Sequence, residues 1–153
     1  MIMNYEGILE FKGTWRRYQA RVLEHADRYM ADGKIHIVAA PGSGKTTLGI
    51  ELIRRMNGKA LILAPSITIR EQWIARIEEA FLCEGIQGED YLSQNLKQPK
   101  AITVATYQAL HSAMTRKIPC PIRSMPMLGY LNHSASSKQM NLNRISGVPV
   151  IKY

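Results

Sequence analysis

Ala39-Ala-Pro-Gly-Ser-Gly-Lys-Thr-Thr47 lies between an apolar run, Ile35-His-Ile-Val-Ala-Ala40, and a helix-compatible run, Thr46 to Met56. Strand, glycine-bearing turn and helix in that order form the layout of a phosphate-binding loop. Pro41, Gly42, Ser43 and Gly44 make the turn, and its backbone N–H groups can wrap a triphosphate. The helix that begins at Lys45, Thr46 and Thr47 points the positive end of its dipole at the same charge. Gly42 and Gly44 allow close backbone approach and conformations that a side chain blocks. Lys45 can reach the outer phosphates as a point charge. The Thr46 hydroxyl suits Mg²⁺, a hard ion that prefers oxygen. The common pattern is Gly-x-x-x-x-Gly-Lys-Thr, and Ala39 holds its first position here. The pattern alone points to nucleoside triphosphate binding without saying what the nucleotide is used for.

The 153 residues suffice for one domain with a real core. Apolar content of 46% and charged content of 21% are those of an ordinary globular protein. No apolar run approaches the ~20 residues needed to span a bilayer. The N-terminus has no basic-then-apolar design, so a cytoplasmic, membrane-free protein is expected. Cys83 and Cys120 have no metal spacing and read as free thiols. His25, His36, His111 and His133 form no cluster, and His36 inside the first strand reads as a packed residue. All twelve acidic residues fall at or before Asp90, balanced there by twelve bases, so the net charge of +8 comes entirely from residues 91–153. A basic half can mean nucleic-acid binding. Eight bases over that length are sparse, however, and the absence of acid is the sharper feature.

Along the chain, residues 15–30 read as a helix, with Trp15, Tyr18, Val22, Ala26 and Tyr29 recurring at three- and four-residue steps and Gly33 ending it. A strand is expected at 35–40. The helix after the turn carries Leu48, Leu52, Ile53 and Met56 on one face and stops near Asn57-Gly58. Lys59-Ala-Leu-Ile-Leu-Ala64 is apolar throughout, as a parallel strand covered on both faces should be. A helix follows from about Thr68 to Leu82, with Thr68 and Glu71 as a capping box and Ile69, Trp73, Ile74, Ile77 and Phe81 as its buried stripe. Residues 84–100 read as a polar loop, 101–105 as a third strand, and Tyr107 to about Met114 as a short helix. The alternation predicts an α/β fold with a parallel sheet, flanking helices and ligands at the C-terminal strand ends. After Lys117 no period survives, although short apolar pieces remain at Met125–Leu131 and Val148–Ile151.

Four motifs occur in order: Arg16-Arg-Tyr-Gln19, the loop at 39–46, Leu63-Ala-Pro-Ser66 with Glu71-Gln-Trp73, and Ile102-Thr-Val-Ala-Thr-Tyr-Gln108. Together they resemble the first RecA-like domain of superfamily 2 DNA helicases and translocases. Within these the chain is similar to the DEAD/DEAH group, close to the type III restriction enzyme and UvrB-like ATPases. The resemblance implies a P-loop NTPase fold, ATP and Mg²⁺ as cofactors, and DNA, or alternatively RNA, as partner. It implies that Gln19 reads adenine, because a primary amide complements the base's amino group and ring nitrogen, and that Arg16 stacks on the base. Without the other motifs, Arg16 and Gln19 would read as solvated helix residues. Pro65, Ser66 and Arg70, with Thr106 after the third strand, take the places of residues that grip the nucleic-acid backbone. Taken alone, such hydroxyls are more often helix caps.

The sequence also departs from the family. A motor of this type needs an Asp-Glu pair after the next strand, one for Mg²⁺ and one to position water. No Asp or Glu follows Asp90, and Glu89 and Asp90 precede the third strand. The expectation is therefore residues 8–117 as the N-terminal part of an incomplete RecA-like ATP-binding domain. Residues 118–153 are then an acid-free tail of a truncated, frame-shifted or otherwise disrupted copy. Whether a second RecA-like domain arrives from another chain stays open. The functional expectation is ATP binding without hydrolysis by this chain alone. The alternatives are a catalytically silent nucleotide-binding module and a small P-loop kinase. Three strands alone would leave an open sheet edge.

Overall fold

The computed structural model describes residues 4–29, 34–115, 127–130 and 150–152. Its helices are α1 (Arg17–Glu24), α2 (Ala26–Tyr29), α3 (Lys45–Met56), α4 (Ile67–Ala80), α5 (Gly88–Tyr91) and α6 (Tyr107–Thr115). Its strands are β1 (Lys34–His36), β2 (Ala60–Ala64), β3 (Leu92–Ser93), β4 (Ile102–Thr106), β5 (Met127–Tyr130) and β6 (Val150–Lys152). They form one sheet in the order β1-β6-β5-β2-β4-β3, and every pairing in it is parallel. The α/β class with a parallel sheet and flanking helices is thus observed.

The sheet is built wider than the three expected strands. β5 and β6 come from the segment whose periodicity is lost, and they lie between β1 and β2. β3 lies inside the expected polar loop and pairs with β4. These added strands are two to four residues long, too short for alternation to register as a period. The helix expected over 15–30 is broken at His25, whose backbone N–H turns back to the Val22 carbonyl at 3.2 Å. Gly33, its expected terminator, lies outside the described residues. β1 ends at His36, short of residue 40; Ile37 still packs in the core while Val38 is 95% exposed.

β2 and β4 form the centre of the packing because both are buried along their whole length. Alternate residues serve opposite faces. Ala60, Ile62, Ile102 and Val104 join Leu48, Leu52, Ile53, Trp73 and Ile77 under α3 and α4. Leu61, Leu63 and Ala105 meet Leu110 of α6 and Leu96 on the other face. Each such Leu or Ile contributes about 1.5–3 kcal/mol by leaving water. The stripe expected for α4 is observed with a gradient: Trp73, Ile77 and Phe81 are buried, whereas Ile69 and Ile74 are partly covered. The cap is displaced from expectation. Ser66, not Thr68, is the N-cap, and its Oγ accepts from the Ile69 N–H at 3.3 Å. Ser66 has the extended backbone an N-cap needs, and the helix already includes Thr68.

α3 ends as expected at Asn57, which adopts the left-handed conformation (φ 53°). Its side-chain oxygen accepts the Tyr5 N–H at 3.1 Å, and the Tyr5 hydroxyl donates to the carbonyls of Gly58 and Ala101. Burial pushes the Tyr5 hydroxyl's pKa well up from its ordinary value. Residues 8–12 then run along the end of α4. Glu10 and Lys12 donate to the Phe81 and Ala80 carbonyls, and Phe11, Trp15 and Phe81 stack against one another. This strap delivers the chain to α1 at a fixed place beside the turn at 41–44.

A buried charge ties α1 to α3. Glu51 is 2% exposed and accepts from Arg54 (2.8 and 2.9 Å) and Arg55 (2.9 Å), while Arg55 also donates to the Leu23 carbonyl at 2.8 Å. Burial alone would push the Glu51 carboxyl up, but the two arginines' hydrogen bonds and charges outweigh it and hold it below its ordinary 4.5. A carboxylate with a lowered folded-state pKa stabilises the fold above its unfolded value, and that contribution is lost as pH falls through the folded value. Glu51→Gln is expected to lower stability by about 2 kcal/mol at neutral pH. Denaturant titrations should also show a shallower loss of stability below pH 4.5 than in the parent.

Candidate nucleotide site

The turn after β1 folds back on itself. Ser43 N–H donates to the Ala40 carbonyl at 3.2 Å, and Gly42 and Gly44 take φ of +72° and +88°. These are left-handed values that favour glycine. Gly44 is the N-cap of α3, and its carbonyl accepts the Leu48 N–H at 3.1 Å. The first amides of α3, those of Lys45, Thr46 and Thr47, have no carbonyl within their own helix to bond.

Three side chains from the start of α1 hold this loop by its carbonyls. Arg16 Nη1 donates to Gly42 O at 3.0 Å, Tyr18 Oη to Ser43 O at 2.6 Å, and Gln19 Nε2 to Gly44 O at 3.0 Å. Three consecutive carbonyls are thereby turned towards α1. Gln19 is only 3% exposed, and its Oε1 accepts the Arg16 N–H at 2.9 Å. Its amide is therefore a strut between helix and loop, with both ends engaged. The resemblance assigned that amide to adenine; in this structure one N–H of its NH₂ group remains beyond these two bonds. Tyr18 was expected only as an apolar helix residue, and its hydroxyl is a loop contact that periodicity does not reveal. Its position between Arg16 and Gln19 is the signal that could have found it.

Lys45 is half-buried, and its ammonium donates to the Ala39 and Ala40 carbonyls, both at 2.8 Å. It lies folded across the mouth of its own loop. Thr46 is half-buried and Thr47 buried, while Pro41 is exposed on the outer turn. A cavity of about 360 Å³ opens beside the loop, bounded on one side by Gly42, Gly44, Lys45, Thr46 and Thr47 and on the other by α4. The residues fit a phosphate chain. The loop carbonyls are already spoken for, the ammonium stands ready to exchange carbonyls for anionic oxygens, and the buried Ser43 hydroxyl has no partner among the described residues. Among those residues no three His, Cys, Asp or Glu side chains come together. Thr46, half-buried at the start of α3, lines this cavity. Glu89 and Asp90 sit in the short exposed α5.

Pro65 and Ser66 follow the C-terminal end of β2, Thr106 ends β4, and Arg70 lies in the first turn of α4. β2 and β4 are in register, Ala64 opposite Thr106, so both strand ends emerge together. Ser66 caps α4, and Thr106 Oγ1 accepts the Ala109 N–H of α6 at 3.2 Å. Both hydroxyls keep a hydrogen to donate. Arg70 pairs with its neighbour Glu71 at 2.7 Å.

A Cβ on Gly44 would stand 2.7 Å from Gln19 Nε2, whereas one on Gly42 would meet nothing within 4 Å. Both positions share the left-handed strain of roughly 1–2 kcal/mol. Gly44→Ala is therefore expected to destabilise the chain more than Gly42→Ala in thermal melts. The excess should vanish in a Gln19→Ala background, and equal penalties in both backgrounds would contradict this geometry.

Two comparisons bear on the site. Residues 12–144 match the family described as "Type III restriction enzyme, res subunit", a match that spans the loop, both strand-end motifs and part of the acid-free segment. Over 93 residues the chain is 30% identical to "Putative DNA 3'-5' helicase Rad25" of Haloarcula marismortui, an alignment covering 60% of this chain and 15% of that protein. The strand–loop–helix at 34–56, the strut from α1 and the family match across it agree. This chain belongs to the type III restriction enzyme res-subunit family and carries a superfamily 2 helicase-like ATP-binding region.

Proposed function

We propose that the chain binds ATP with Mg²⁺ as part of a superfamily 2 DNA helicase or translocase, with little or no hydrolysis on its own. The observation that carries the reading is the loop at 41–44. Its carbonyls are drawn back by Arg16, Tyr18 and Gln19, which leaves the amides at the start of α3 to an anion. Lys45 would leave the Ala39 and Ala40 carbonyls for phosphate oxygens, where a charge-assisted bond is stronger. Thr46 would hold Mg²⁺, which would neutralise phosphate charge in the site. Arg16 would stack on the base through its guanidinium, and Gln19 would offer its amide's remaining hydrogen to a ring nitrogen.

In this reading residues 8–117 form the N-terminal part of the ATP-binding domain, and the acid-free segment 118–153 completes the sheet through β5 and β6. Pro65, Ser66, Arg70 and Thr106, at and beyond the C-terminal ends of β2 and β4, would meet the nucleic-acid backbone. Ser66 and Thr106 would donate their remaining hydroxyl hydrogens to phosphates, and Arg70 would exchange Glu71 for one. Hydrolysis needs an acid to position water, and no Asp or Glu follows Asp90. A second RecA-like domain would have to close over the nucleotide to complete a motor.

The test is ATP binding and phosphate release by the purified chain, with and without DNA, beside Lys45→Ala. The expected result is ATP binding that Lys45→Ala abolishes, with release at the level of that variant whether or not DNA is present. Brisk DNA-stimulated release would contradict the proposed lack of hydrolysis, and a folded chain that ignores ATP would contradict the nucleotide reading.

A further inference from the structure

The cavity beside the phosphate loop has a second wall that the loop pattern leaves unexplained. α4 presents Gln72, Ala75, Arg76 and Glu79 to it. Their spacing of three and four residues makes one stripe, adjacent to the buried stripe of Trp73 and Ile77. One helix thus packs the core with one face and lines the nucleotide cavity with the next.

Arg76 differs in its ion pairing from Arg70 on the same helix. Among the described residues the ion pairs join Glu51 to Arg54 and Arg55, and Arg70 to Glu71; Arg76 takes part in none of them. Glu79 lies one turn further along the same stripe and is likewise unpaired among the described residues. Lys45 and Arg76 therefore bring two cations to one cavity from different elements, opposed by one carboxylate. A polyphosphate entering this space would meet a cation on each wall and the Glu79 carboxylate on the α4 wall.

We propose that Arg76 is a second cationic contact for the phosphate chain of the bound nucleotide, and that Glu79 limits affinity for it by like-charge repulsion. This rests on the nucleotide reading of the loop and extends the site to α4. Arg76 is exposed and makes no ion pair with another element, so its role is read in binding rather than in folding. A guanidinium on a phosphate also gives the site a preference that grows with phosphate number.

The test is equilibrium binding of ATP, ADP and AMP to the whole chain by displacement of a fluorescent ATP analogue, for the parent, Lys45→Ala, Arg76→Gln and Glu79→Gln. Arg76→Gln is expected to weaken ATP about tenfold, ADP less and AMP not at all. Glu79→Gln is expected to move ATP affinity in the opposite direction. The ratio of ATP to AMP affinity does not depend on the fraction folded, so a variant that folds less well still gives the answer. If Lys45→Ala abolishes binding while Arg76→Gln changes ATP affinity by less than about twofold, this inference is wrong and the nucleotide reading stands. If the folded parent binds none of the three nucleotides, the nucleotide reading fails and takes this inference with it.

Discussion

The site depends on three donors at the start of α1 that take three successive carbonyls of the phosphate loop. Arg16, Tyr18 and Gln19 bond Gly42, Ser43 and Gly44 in step. A backbone loop can present its amides to an anion only if its carbonyls point elsewhere and find partners there. The glycines make the necessary conformations accessible, and α1 selects among them. Gly44 shows both effects at one residue: its left-handed φ and the closeness of Gln19 each disfavour a side chain.

What places α1 is in turn non-local. Tyr5 is pinned under Asn57, Gly58 and Ala101, and the strap at 8–12 runs along the end of α4. Arg55 then bonds the Leu23 carbonyl while sharing Glu51 with Arg54. The N-terminal segment therefore reads positions from α3, α4 and β4 together before it reaches the loop. Core packing under the sheet and the orientation of the loop are one connected structure, because α4 closes the core with one face and bounds the cavity beside the loop with the next.

Much of this was legible in the sequence where one residue type has one physical use. Gly42, Gly44 and Lys45 announce the loop because few other contexts need that combination. Leu61 to Leu63 and Ile102 to Val104 announce buried strands, and Trp73 and Ile77 the inner face of α4. Less legible was whatever depends on distant partners. Tyr18 and Gln19 find their loop carbonyls 25 residues away, and no helical period records a hydroxyl's target. β3, β5 and β6 are shorter than any repeat they could display. The cap of α4 slipped from Thr68 to Ser66 because both residue types can cap, and only the backbone decides. Arg76 carries no signal in the helical pattern, and only the fold brings it to the cavity that Lys45 lines.

The most direct measurement is hydrogen–deuterium exchange at the Ser43 and Leu48 amides, the two bonded within the loop and its first helical turn, in the ligand-free chain, comparing the parent with the Tyr18→Phe, Gln19→Ala double variant. If α1 fixes the loop, exchange there should quicken by about tenfold or more while β2 and β4 stay protected. Unchanged exchange at the loop in a variant that has lost two of its three donors would show that the glycine turn holds its shape unaided, contrary to this account.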